Sequence, residues 1–99
     1  MVKHLDPDGV RELKKGQLVR IIGGTSSTED LNADGTTMRG RQASLDPYGW
    51  IGEGEFIKPT AKGGEVYITR IVAQAEKARP PKVHSTIEVA WFALFLPPQ

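Results

Sequence analysis

The sequence contains no cysteine, and this absence excludes several functions. Without thiols the chain cannot form disulfides, cysteine-based zinc sites or a cysteine nucleophile. It also lacks any apolar run near the roughly 18 to 20 residues that a membrane-spanning helix needs, so we expect no membrane partner. Residues 1–9 do not have the pattern of a signal peptide. Together with the missing cysteine, this favours a cytoplasmic location without fixing it.

An excess of charge of one sign is also missing. Thirteen lysines and arginines stand against twelve aspartates and glutamates, which gives a net charge of +1. A dedicated nucleic-acid binder is expected to carry a basic excess, so nucleic acid is the less favoured partner. The locally basic residues 77–84 (Lys-Ala-Arg-Pro-Pro-Lys-Val-His) keep nucleic-acid binding as a third interpretation.

The length and the spacing of turn residues predict one small domain of the all-β class. Ninety-nine residues with 38% hydrophobic content are enough for a single core over residues 1–99. Eleven glycines and seven prolines divide the chain into short segments, which is typical of strands. The pattern predicts strands at 17–22, 38–45, 50–51, 56–59 and 65–73, and a long polar surface loop at 25–37.

The last apolar stretch, residues 83–96, carries conflicting signals. Residues 85–88 (Ser-Thr-Ile-Glu) match a capping box for a helix start, whereas the branched and aromatic residues favour a strand. We predict a strand. From Ala90 onward both of its faces are apolar, and one small core covers only one face. We therefore expect an interface with a second copy or a protein partner, formed by Val89, Trp91, Phe92, Leu94, Phe95 and Leu96. The alternative is a central strand buried within the domain.

Three short motifs resemble SH3-like domains of the bacterial kind. They are residues 13–21 (Leu-Lys-Lys-Gly-Gln-Leu-Val-Arg-Ile), 39–41 (Arg-Gly-Arg) and 49–51 (Gly-Trp-Ile), within a match over residues 9–58. The resemblance implies a small SH3-like barrel, to which residues 65–96 add a carboxy-terminal strand or hairpin. It also implies a binding or scaffolding module rather than an enzyme.

A ligand-binding face is the second functional interpretation. Tyr48 and Trp50 supply aromatic rings, and Arg39 and Arg41 supply guanidinium groups, the chemistry used to bind peptides or glycans. The competing interpretation of Trp50 is a core residue of the strand that it begins.

Residues 30–35 (Asp-Leu-Asn-Ala-Asp-Gly) match the first half of a calcium loop. The second half fails, because Arg41 occupies the twelfth position, where a bidentate glutamate belongs. Asp, Asn and Gly are also common in ordinary surface loops, and we favour that interpretation. We predict no metal and no cofactor.

Catalysis has little support in the sequence. The two histidines are His4 and His84, and adjacent strand residues such as His84 and Ser85 point to opposite faces, so they would not form a dyad. Glu53 and Glu55 share a strand face, but their glycine neighbours indicate a rim rather than an acid/base pair. We therefore expect no enzyme.

The function that the sequence favours is a non-catalytic protein-interaction or assembly subunit that self-associates through its carboxy-terminal apolar strand. The first alternative is a peptide- or glycan-recognition module that uses Tyr48 and Trp50. The second is a small nucleic-acid-binding barrel.

Overall fold

A computed structural model of the chain describes residues 3–24 and 48–97. These ranges contain six strands, one short α-helix and one 3-10 helix. The elements are β1 (Lys3–His4), α1 (Pro7–Arg11), β2 (Leu18–Gly23), β3 (Trp50–Pro59), β4 (Gly63–Gln74), β5 (Thr86–Ala90), the 3-10 helix (Trp91–Ala93) and β6 (Leu94–Leu96). The all-β class is confirmed. The predicted strand at 38–45, the polar loop at 25–37, and Arg39 and Arg41 lie outside the described residues.

The strands form one antiparallel sheet in the order β1-β6-β2-β3-β4-β5. Strands β2 to β5 follow one another as a meander. Strand β6 then returns to lie between β1 and β2. In the part of the chain described, β1 and β5 are the outer strands of this order, and closure into a barrel stays a prediction.

Helix α1 begins where the sequence indicates a turn. The carboxylate Oδ1 of Asp6 accepts a hydrogen bond from the backbone N–H of Gly9 over 2.7 Å, which caps the helix. Pro7 stands in the first turn, where its missing N–H costs nothing. Val10 is buried and joins the hydrophobic core. The helix is thus fixed to the sheet by one apolar side chain.

Strand β3 is continuous from Trp50 to Pro59, whereas the sequence predicts two short strands separated by a glycine-rich break. Its pairing with β4 contains three register shifts, so the strand bends without ending. At Gly54 a Cβ atom would overlap the carbonyl oxygen of Tyr67 on β4. Here glycine allows close approach of two backbones rather than a chain break.

The prediction of one strand over residues 83–96 is wrong in its extent, because the 3-10 helix divides this segment. Strand β5 pairs with β4, and β6 pairs with β2 and β1, so the helix carries the chain between distant strands of the sheet. The backbone N–H of Trp91 donates to the carbonyl oxygen of Lys62 over 3.1 Å, which fixes the start of the turn.

The hydrophobic core lies on one face of the sheet and takes one side chain in two from each long strand. Its buried members are Leu5, Val10, Val19, Ile21, Trp50, Phe56, Val66, Ile68, Val89, Ala93 and Leu94. A second buried set, outside this cluster, is Ile22, Ile51 and Phe95. Ile22 and Ile51 are partners in the β2–β3 register and alternate with core residues, so this set lies on the opposite face.

Candidate functional site

The structure separates the two predicted aromatic ligand residues. Trp50 is 9% exposed and belongs to the core. Its indole ring lies against Gly23 and Gly52, where a Cβ atom would meet the ring. Tyr48, on the other side of the buried Gly49, is 56% exposed. The chain therefore directs Trp50 inward and leaves Tyr48 at the surface.

Three of the six predicted interface residues are buried within the chain itself. Val89, Leu94 and Phe95 are 7%, 0% and 0% exposed, and Leu96 is half-buried. Their apolar surface is covered because the 3-10 helix places Val89 and Leu94 on different strands of one sheet.

Trp91 and Phe92, which we call the aromatic turn, remain at the surface. Their ring centroids are 5.7 Å apart and the ring planes are inclined by 81°, an edge-to-face arrangement. Phe92 is 43% exposed, whereas Trp91 is half-buried and packs against the core. The aromatic turn thus has a fixed inner ring and an outer ring in contact with solvent.

A shallow depression borders the aromatic turn. Its lining residues are Pro7, Val10, Arg11, Thr60, Ala61, Lys62, Gly63 and Trp91. The β3–β4 turn beneath it is held by two hydrogen bonds, from Thr60 N–H to the Gly63 carbonyl over 2.9 Å and from Gly63 N–H to Thr60 Oγ1 over 3.1 Å. Arg11 and Lys62 supply positive charge to this lining, and Asp8 forms an exposed ion pair with Arg11 over 3.2 Å.

An ion-pair network crosses three strands on the opposite face of the sheet. Arg20 Nε donates to Glu53 Oε2 over 3.0 Å, and Arg70 donates to Glu53 Oε1 through both Nε, over 2.8 Å, and Nη2. Glu53 and Arg20 have side chains 11% exposed, and that of Arg70 is 61% exposed. Register explains the arrangement, because Glu53 is the partner of Arg20 on β2 and of Arg70 on β4.

The surroundings of Glu53 determine its ionisation. Burial raises the pKa of Glu53, but the hydrogen bonds and positive charges of Arg20 and Arg70 outweigh it, so the pKa lies below its ordinary value of 4.5. Glu55, which lies two positions along the strand, is exposed. The two carboxylates that the sequence places on one face therefore have different environments. Glu53 is suited to hold arginines rather than to transfer protons near neutral pH.

Tyr48 lies beside the start of the basic segment 77–84. Tyr48, Glu76, Lys77, Ala78 and Arg79 line one open depression. We call the exposed Tyr48, Lys77 and Arg79 the basic tyrosine surface. Nothing in the local sequence connects these residues, because the long β3–β4 hairpin lies between them. Sequence motifs therefore could not predict that Tyr48 and residues 76–79 lie close together.

His84 and Ser85 each contact another residue of the chain. The His84 ring stacks on Tyr67, with centroids 6.1 Å apart and planes inclined by 15°. Ser85 Oγ donates to the Lys82 carbonyl over 2.6 Å. Within residues 3–24 and 48–97, no three histidines, aspartates or glutamates group closely enough to hold a metal ion. In the same ranges, no helix has the length and apolar character to cross a membrane.

Comparisons of this chain with protein-family models, with curated proteins and with solved structures found no match.

Proposed function

We propose that this chain is a non-catalytic assembly domain that self-associates through the aromatic turn. The observation that carries the proposal is the exposure of Phe92, 43% of whose surface faces solvent while its ring contacts Trp91. Aromatic side chains that are held rigidly at a surface bury a large apolar area at little entropic cost when a partner arrives. The turn therefore supplies an anchor of the kind that protein interfaces use.

The charged residues around the aromatic turn favour a second copy of the chain as the binding partner. A two-fold interface needs a surface that is complementary to itself, since each patch meets its own copy. Arg11 and Lys62 line the depression beside the aromatic turn, and Asp8 is paired with Arg11, so acidic and basic groups both occur near it. Across a two-fold axis, an acid of one copy can face a base of the other around an apolar centre.

The proposed interface is smaller than the one expected from the sequence. Of the six residues assigned to it, Val89, Leu94 and Phe95 contribute to the interior of the chain. Leu96 is half-buried and pairs with Lys3 on β1, so Trp91 and Phe92 retain the role. An interface with so few apolar residues is expected to give a reversible dimer, since stable dimers bury about 800 Å² per partner.

Membership of the SH3-like domains is part of this proposal. The arrangement that supports it is a meander of four strands followed by a short 3-10 helix, after which the last strand returns to pair beside the first strand of the meander. Domains of this kind bind proteins more often than they catalyse reactions, which agrees with an assembly role. The alternative, a peptide- or glycan-binding face, uses Tyr48 and Trp50. Tyr48 is exposed there, but Trp50 is buried.

Light scattering behind a sizing column, at concentrations from about micromolar upward, tests the proposal. We expect a molar mass that rises with concentration from 10.8 kDa towards twice that value. The Phe92→Ser variant is expected to stay monomeric. Val83→Ser is the matched control, because Val83 is also 43% exposed but precedes β5, whereas the aromatic turn follows the other end of that strand.

Two results would contradict the proposal. One is a wild-type mass of 10.8 kDa at every concentration. The other is an equal loss of association in the Phe92 and Val83 variants, which would mean that general surface hydrophobicity drives it. Thermal unfolding by circular dichroism establishes that both variants are folded before their masses are compared.

A further inference from the structure

We propose that the basic tyrosine surface, Tyr48 with Lys77 and Arg79, binds an acidic peptide segment of a partner protein. This site goes beyond the self-association proposed above and uses different residues. The three side chains are exposed and line one depression, although they come from two segments that are distant in the sequence.

The backbone that carries these side chains is held in place. Ala75 N–H donates to the Gly49 carbonyl over 2.8 Å, which joins the segment after β4 to the residue that follows Tyr48. Ala78 N–H donates to the Ala75 carbonyl over 3.1 Å, and the Ala78 side chain packs against the core. Because Ala78 is held against the core, the residues on either side of it are fixed at the surface. A surface with a fixed backbone loses less entropy when it binds a ligand.

The two prolines that follow Arg79 restrict the same segment further. A proline ring fixes φ and disfavours helical geometry in the preceding residue. Arg79 and Pro80 are both followed by proline, so the chain beyond the site has few conformations available. The cations are thereby presented on a segment of limited flexibility.

The charge of the depression suits an anionic ligand. Among the described residues of the lining, Lys77 and Arg79 contribute two positive charges and Glu76 one negative charge, which gives a net charge of +1. Residues 77–84 contain no acid. The guanidinium of an arginine can hold a carboxylate through two parallel hydrogen bonds.

The Tyr48 ring favours a ligand that also has apolar groups. Its ring is available to pack on an aliphatic side chain, and its hydroxyl is available to donate a hydrogen bond to a carboxylate. Glutamate residues interspersed with leucine supply both chemistries.

A peptide fits this surface better than a nucleic acid. Non-specific nucleic-acid binding depends on several phosphate contacts along a continuous basic track. The surface has two cations, and Glu76 adds a carboxylate to the same lining. A peptide with spaced carboxylates can place its charges on the cations and its apolar side chains on Tyr48.

The test uses fluorescence anisotropy with a short labelled peptide of alternating glutamate and leucine. We expect saturable binding that weakens as salt rises, because screening reduces attraction between exposed charges. The double variant Lys77→Gln/Arg79→Gln is expected to bind about tenfold more weakly or worse. Tyr48→Ser is expected to weaken binding as well. In the matched control Lys14→Gln/Lys15→Gln, two exposed lysines elsewhere lose their charge, and affinity should fall by less than about twofold.

Three outcomes overturn the proposal. The first is no saturable binding of the peptide by the wild type. The second is an equal loss of affinity in the two double variants, which would indicate attraction to the whole chain rather than to this surface. The third is tighter binding of labelled oligothymidylate than of the peptide, which would assign the surface to nucleic acid. The Phe92→Ser variant is expected to bind the peptide like the wild type. The peptide-binding proposal can therefore be tested whether or not the chain self-associates.

Discussion

Arg20 on β2 and Glu53 on β3 are cross-strand partners whose side chains meet over 3.0 Å, from Nε to Oε2, and each is 11% exposed. Burial removes a carboxylate from water, and this costs free energy unless guanidinium groups bind the carboxylate in place of water. Glu53 avoids this because Arg70 binds its other oxygen. The Glu53 carboxylate thus connects three strands, because Glu53 is the cross-strand partner of Arg20 on β2 and of Arg70 on β4.

The first prediction concerns the acid limb of the stability profile. The folded-state pKa of Glu53 is below its ordinary value, so its contribution to stability is complete above about pH 4.5 and is lost as the pH falls through the lowered value. Glu53→Gln should therefore reduce the free energy of unfolding by about 1 to 3 kcal/mol at neutral pH. The difference from wild type should narrow below pH 4.5. Urea unfolding at a series of pH values measures this.

Glu55→Gln is the control for this experiment. Glu55 is exposed on the same strand, and its substitution should change the free energy of unfolding by less than about 0.5 kcal/mol. A difference between Glu53→Gln and wild type that stays constant from neutral to acid pH would show that the charge of Glu53 is not responsible.

The second prediction compares the two arginines of the network. Arg20→Met should destabilise the fold by about 1 to 3 kcal/mol, because it leaves a largely buried carboxylate with one guanidinium fewer. Arg70→Met should cost less than about 1 kcal/mol, because 61% of the Arg70 side chain is exposed and water replaces much of its interaction. Chemical denaturation of both variants checks the order. Equal costs would contradict the unequal exposure described for the two side chains.

The third prediction concerns the contact between Gly23 and Trp50. A methyl group at position 23 would overlap the indole ring, so Gly23→Ala should displace Trp50 and cost about 1 to 3 kcal/mol. Near-ultraviolet circular dichroism should also change, because the surroundings of the ring change. Thermal unfolding gives the stability.

Gly16→Ala is the control for this prediction, because it introduces backbone strain without a steric overlap. Gly16 has φ 88° and no neighbour within 4 Å of the added methyl group, so its substitution should cost about 1 kcal/mol and leave the near-ultraviolet spectrum unchanged. An unchanged spectrum in Gly23→Ala would mean that the ring accommodates the methyl group without moving.

The fourth prediction concerns the cap of α1. Asp6→Ala removes the acceptor for the Gly9 N–H and should lower the free energy of unfolding by about 1 kcal/mol. Asp6→Asn keeps an acceptor and should have a much smaller effect. Asp8→Ala removes only the exposed pair with Arg11 and should change stability by less than about 0.5 kcal/mol. Comparable losses in Asp6→Ala and Asp8→Ala, measured by chemical denaturation, would contradict a capping role.

The sequence predicts strands well where alternation is regular. The strand predicted at 65–73 appears as β4 (Gly63–Gln74), because Val66 and Ile68 alternate into the core. The division of β3 is wrong because glycine is typical of a break in a strand, whereas Gly54 lies where the Tyr67 backbone of β4 approaches β3 closely. Close approach depends on the partner strand, which local sequence does not specify.

Two features of the candidate sites depend on long-range geometry. The 3-10 helix Trp91–Ala93 interrupts an apolar run that contains no glycine or proline, so no local signal marks the change of direction. Likewise, Glu53 is separated from Arg20 by 33 positions, and only the strand register brings them together. The sequence identifies Trp91 and Phe92 as interface candidates, but only the fold separates them from the residues that become core.

The position of β6 between β1 and β2 has a consequence for how the protein is made. During synthesis the segments of β1 and β2 leave the ribosome long before the strand that joins them. Folding therefore cannot proceed in the order of translation, and the pairing of β2 with β6 requires closure of a loop of more than half the chain. A nascent chain stalled before Leu94 would hold Lys3–His4 and Leu18–Gly23 without the strand that separates them in the sheet.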